Sequence, residues 1–128
     1  EKLNIHAEIV DLRSIKPIDW ETIIISLKKT GRLLVVDSGF TTGSVAGEVI
    51  ANLTTNHFHL FKHPPIRLAM PDVPEPTSFA LTKNFYIKAK DIAANVSQCL
   101  LNNAVVVEQE FENPKLHDIP GDWFKGPF

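Results

Sequence analysis

The chain has a single cysteine among its 128 residues. Cys99 therefore closes no internal disulfide, and its place in an amphipathic run reads as a buried thiol. Excess charge is also scarce: 13 Lys and Arg stand against 15 Asp and Glu, a formal net charge of -2. That balance gives no basic surface for nucleic acid or for an anionic membrane, and neither partner is expected. No apolar run approaches the roughly 20 residues that span a bilayer, and no signal-peptide pattern is visible. A cytoplasmic protein is expected, or one of the mitochondrial matrix if the source is eukaryotic. Metal-ligand patterns are missing as well. His57, His59 and His63 lie close together without a Cys partner or an HExxH pattern, so they read as helix-end and loop surface. His6 and His117 stand alone, and no spacing suggests a Ser-His-Asp arrangement.

What is present is a core-forming chain. Apolar residues make up 44% of it, enough for one ordinary domain and too many for a disordered one. Glu1 is not Met, and EKLN leads straight into a strand-like run. The expectation is a piece of something longer. Residues 5–13, IHAEIVDLR, alternate as a strand does. Asp19 is placed to cap a helix over 20–29, with Trp20, Ile23, Ile24 and Leu27 on one face, Lys28 and Lys29 in the last turn, and Gly31 at C′. RLLVV at 32–36 reads as a strand buried on both faces. A loop is expected over 37–43, then a helix over 44–56 with Val45, Val49 and Leu53 at four-residue spacing. IRLAM at 66–70 suggests the next strand. PDVPEPTS at 71–78 holds three prolines and excludes regular structure. Residues 89–101 read as a helix with Ala89, Ile92, Ala93, Val96 and Leu100 on its apolar side, and 105–107 as a short strand. This order argues for an α/β domain of three layers, α/β/α, over a mixed, mostly parallel sheet. The domain is expected over 1–103. An extended tail follows over 104–128, where Phe111, Trp123, Phe124 and Phe128 would dock on a surface of this or another chain.

The segment DSGFTTGSVAGE at 37–48 invites a phosphate reading. It has neither the glycine spacing of a dinucleotide fingerprint nor the GK[ST] of a P-loop. Gly39 would let the chain leave the strand at an unusual dihedral. Gly43 and Ser44 sit at a helix start, where free N–H groups form a candidate anion site. Gly47 lies one turn on, where glycine costs a helix roughly 1 kcal/mol relative to alanine. Close packing of a neighbouring element offsets that, so Gly43, Gly47 and Glu48 are candidate interface residues. The plainer reading of Glu48 is a tolerated surface charge. Asp72 and Glu75 flank prolines and are candidates for meeting a basic partner at a rim, or belong to a solvated loop. No catalytic, cofactor-binding or metal-binding residue emerges, and a non-catalytic domain of a larger assembly explains that simply.

Three motifs in order, DLRSIKPIDW at 11–20, the glycine segment at 37–48 and PDVPEP at 71–76, carry a resemblance. The chain resembles the C-terminal domain of the transketolase superfamily, and within it the β subunit of thiamine-diphosphate-dependent 2-oxoacid dehydrogenases. The likeness runs from about Ile5 to Leu101. It implies a three-layer fold with a mixed five-stranded sheet, whose first strand and helix are missing before Leu3. It also implies a full enzyme that uses thiamine diphosphate and magnesium to decarboxylate pyruvate or a related 2-oxo acid and passes the acyl unit to a lipoyl group. The cofactor and catalytic groups would lie in other parts, so none is expected on this fragment, which should be inactive alone. The implied partners are the dehydrogenase α subunit, a second β subunit and the acyltransferase core. Relatives commonly carry Glu where this chain has Asp37, and Gly-Gly where it has Gly43-Ser44. A transketolase-type or deoxyxylulose-phosphate-synthase-type enzyme, or a stand-alone anion-binding regulatory domain, is the alternative.

Overall fold

The computed structural model describes residues 5–82 and 85–101. The expected strand at 105–107, the tail and Phe128 lie outside them. The described residues form an α/β domain in which helices flank a two-stranded parallel sheet.

Residues 5–13 carry no strand ladder, contrary to the alternation of their sequence. A strand requires a hydrogen-bonded neighbour, and none among the described residues pairs here. The alternation still sorts side chains. Val10 and Leu12 pack against the core, while Ile9 is 90% exposed. Lys29 Nζ donates to Glu8 Oε1 at 2.9 Å and fastens this segment to the first helix.

Helix α1 spans Trp20–Thr30. Asp19 caps it as its sequence requires, accepting from the Thr22 amide at 3.1 Å and from the Thr22 hydroxyl at 2.7 Å. Gly31 ends it in the left-handed region at φ 68, donating to the Leu27 carbonyl at 2.7 Å. Strand β1 spans Leu34–Phe40, β2 spans Ile66–Met70, and helix α2, Val45–His57, lies between them in sequence. A parallel pair needs such a crossover. The register runs Leu34↔Ile66, Val35↔Arg67 and Val36↔Leu68, then slips before Phe40↔Met70. The chain over 37–39 is thus an irregularity within β1 rather than the start of a loop. Gly39 does not have positive φ; Gly31 and Gly43 do. The glycine that turns the chain is therefore Gly43.

The core sits where α1 and α2 meet. Ile23, Leu27, Val49 and Leu53 are buried, and Ile18, Trp20, Leu33, Val35, Val45 and Phe61 pack around them. Each such aliphatic side chain contributes about 1.5–3 kcal/mol by leaving water. The opposite sheet face is more open, with Val36 and Phe40 exposed. A short helix, α3, covers Phe79–Thr82, and α4 covers Ala89–Leu101. On α4 the expected apolar residues are only half-buried or, for Ala89 and Leu100, exposed, whereas Ser97 is buried. Cys99 is half-buried and free. No helix among the described residues is long and apolar enough to cross a membrane.

Candidate functional site

The three sequence motifs meet in part at the carboxyl ends of β1 and β2. The slip in β1 leaves Asp37 part-buried at the foot of the glycine segment. Its Oδ1 accepts from the Gly39 amide at 2.8 Å, and its Oδ2 accepts from the Ala46 amide at 3.0 Å. Ser44 caps α2, its hydroxyl oxygen accepting from the Gly47 amide at 3.2 Å. The N–H groups of the second and third residues of α2 are therefore already bonded within the chain. The negative charge that a helix N-terminus favours is supplied here by Asp37.

Two threonines link the glycine segment to β2. The Thr41 amide and hydroxyl both donate to the Met70 carbonyl, each at 2.8 Å. The Thr42 amide donates to Asp72 Oδ1 at 2.8 Å, and its hydroxyl to Asp72 Oδ2 at 2.7 Å. These two bonds, the amide's first, hold the Asp72 carboxyl below the usual carboxylate range; partial desolvation opposes them, and the positive charge of Arg67 assists weakly. At the far end of the same loop, the Tyr86 hydroxyl donates to Glu75 Oε1 at 2.7 Å.

Gly43 takes φ 76, and a Cβ there would meet nothing within 4 Å. Its glycine is a backbone requirement, with open space beside it. Gly47 is different. A Cβ there would lie 3.1 Å from an Arg67 guanidinium nitrogen. Arg67 pairs with Val35 across the ladder and so emerges on the α2 face of the sheet. Within the chain, the close neighbour of Gly47 is thus a side chain from β2, not a second backbone. Glu48 is exposed in the first turn of α2.

The structure brings Gly43, Ser44, Gly47 and Asp72 together around these loops, and Glu75 joins them through the 71–78 segment. Sequence reasoning missed Asp37, Thr41, Thr42, Arg67 and Tyr86 as members. Only Asp37 left a signal, an acid ahead of a glycine segment. The histidines stay apart from this region. His57 closes α2, and the rings of His57 and His59 are 6.4 Å apart. Among the described residues, no group of three or more His, Cys, Asp or Glu is placed to hold a metal.

Comparison with known proteins follows the same residues. The model of the family "Transketolase, C-terminal domain" matches residues 1–92. The mitochondrial pyruvate dehydrogenase E1 component subunit beta of Chaetomium thermophilum is 45% identical over 76 residues, 59% of this chain and 20% of that protein. The pyruvate dehydrogenase E1 component subunit beta of Rhizobium meliloti is 40% identical over 83 residues, 65% of this chain and 18% of that protein. That of Mycoplasma pneumoniae is 40% identical over 93 residues, 73% of this chain and 28% of that protein. The chain spans less than a third of the length of each of these relatives. A family match over 92 residues, on a fold whose capping and crossover details agree with its sequence, identifies the chain as a member of the transketolase C-terminal domain family.

Proposed function

We propose that this chain is the assembly domain of a thiamine-diphosphate-dependent 2-oxoacid dehydrogenase β subunit, with the chemistry carried by other parts of the enzyme. The similarity to pyruvate dehydrogenase E1 β subunits supports the enzyme class. The observation that carries the role is the saturation of the loop region. Asp37, Ser44 and Asp72 spend their acceptors on Gly39, Ala46, Gly47 and Thr42. Groups bonded in this way fix a surface. They are poorly suited to exchanging protons with a substrate.

The described residues do not fit the cofactor. A diphosphate held through magnesium needs several oxygen ligands around the ion, and no such carboxylate group is assembled among them. No step of the decarboxylation is therefore assigned to this chain. Its contribution is geometric: a displacement near 1 Å at a distant reacting centre can lower a rate about 10²-fold.

In this reading Gly43, Gly47 and Glu48 face a neighbouring subunit. The α subunit, a second β subunit and the acyltransferase core are the proposed partners. Residues 1–103 form the domain and 104–128 a tail that extends the contact. Asp72 and Glu75 would shape the rim through the loop they hold, because each already accepts a hydrogen bond inside the chain. Calorimetric titration of the chain with thiamine diphosphate and magnesium tests the reading. No binding in the micromolar range is expected, and micromolar binding would contradict it.

A further inference from the structure

Residues 71–78 join β2 to α3 without regular structure. Pro71, Pro74 and Pro76 fix φ at three positions and remove three amide donors, which makes the segment stiff yet poor in backbone bonds. One backbone bond closes within it, from the Val73 amide to the Pro71 carbonyl at 2.8 Å. Its two carboxylates are anchored at separate places. Asp72 is held by Thr42 of the glycine segment, and Glu75 by the hydroxyl of Tyr86, which precedes α4. These side-chain bonds are solvent-exposed, the kind that opens far below the global unfolding limit.

The segment borders a groove at the carboxyl ends of both strands. Pro71 and Tyr86 line it together with Leu68, Ala69, Phe85 and Ile87, so the walls beside the strap are largely apolar. The outward residue Val73 is 52% exposed, so the strap is not locked down by burial. We infer that residues 71–78 form a releasable strap over this groove, held shut by two coupled latches, Asp72–Thr42 and Glu75–Tyr86. The coupling follows from stiffness. A proline-rich segment that lifts at Glu75 carries Asp72 with it, three residues away. Release of both latches opens the groove to an apolar group while the α1–α2 core stays folded.

Hydrogen exchange on the full-length protein tests this, with the Thr42 amide as reporter because it donates directly to Asp72. Tyr86→Phe removes only the hydroxyl of the distant latch. It is expected to speed exchange at Thr42 about fivefold, the effect of losing one ordinary hydrogen bond. Thr42→Val should act similarly on the amides of Val73 and Glu75, and Thr42→Ser, which keeps the hydroxyl, should restore parent behaviour. The double variant Thr42→Val with Tyr86→Phe should also bind an apolar fluorescent dye that the parent does not. The amides of Leu27 and Leu53 report on the core and should exchange as slowly as in the parent. Unchanged exchange at Thr42 in Tyr86→Phe would overturn the coupling. Equal acceleration at Leu27 and Leu53 would show general loosening and would overturn the strap as well.

Discussion

Asp72 accepts both hydrogens that Thr42 can offer, amide and hydroxyl, at 2.8 and 2.7 Å across 30 residues of sequence. This pair joins the glycine segment to the proline-rich turn, two of the three motifs by which the family is recognised. It gives both motifs a shared physical role as a single braced surface.

The brace has a pH signature. The folded Asp72 carboxyl sits below its ordinary 3.8 because the Thr42 amide and then its hydroxyl bond the ionised form. Asp19 is lowered by the Thr22 hydroxyl and amide, and Glu8 by Lys29. A lowered folded value means that the unfolded chain binds the proton more readily. The stabilisation is therefore fully present above the ordinary carboxylate values, 3.8 for Asp and 4.5 for Glu, and is lost as pH falls through the folded ones. The thermal midpoint is expected to hold steady near neutrality and to drop below about pH 4. The difference between parent and Asp72→Asn should shrink over that same acid range.

Asp37 offers a second test. Asp37→Ala strands the amides of Gly39 and Ala46, and a loss of about 1–3 kcal/mol is expected from chemical denaturation. Asp37→Glu restores the acid that relatives commonly carry and keeps the carboxylate, so it should lose less than Asp37→Ala. Equal losses would mean that the two amide bonds do not hold the segment.

How much of this could be read in advance differs from element to element. Helix α1 was legible to its ends, because Asp19 and Gly31 act within one turn of their own positions. Strand β1 was not, since Asp37, Ser38 and Gly39 are turn-forming residues. They stay in the strand because of the pairing with β2 about 30 residues away, which no local pattern encodes. Residues 5–13 showed the right side chains to the core in Val10 and Leu12, but alternation specifies a face and not a ladder partner. The Thr42 and Tyr86 latches left no trace, because hydroxyls on separate segments have no sequence pattern. The role of Gly47 was half legible. Its spacing announced a close neighbour, and only the structure showed that neighbour to be Arg67.

Gly43 and Gly47 should respond in opposite ways. Gly43→Ala must hold a side chain at φ 76, which costs about 1–2 kcal/mol despite the open space around it. Gly43→Asn should lose less. Gly47→Ala asks only that the flexible end of Arg67 yield by a few tenths of an ångström, and helix propensity then favours it by up to about 1 kcal/mol. Denaturant midpoints of the two variants should fall on either side of the parent.

The assembly role is tested most directly by sedimentation velocity of full-length Gly47→Val mixed with its α subunit. A partner packed on the first turn of α2 leaves no room for the added branch. The account predicts that the heterotetramer population falls while the unassembled variant stays folded. A heterotetramer population equal to the parent's would contradict it.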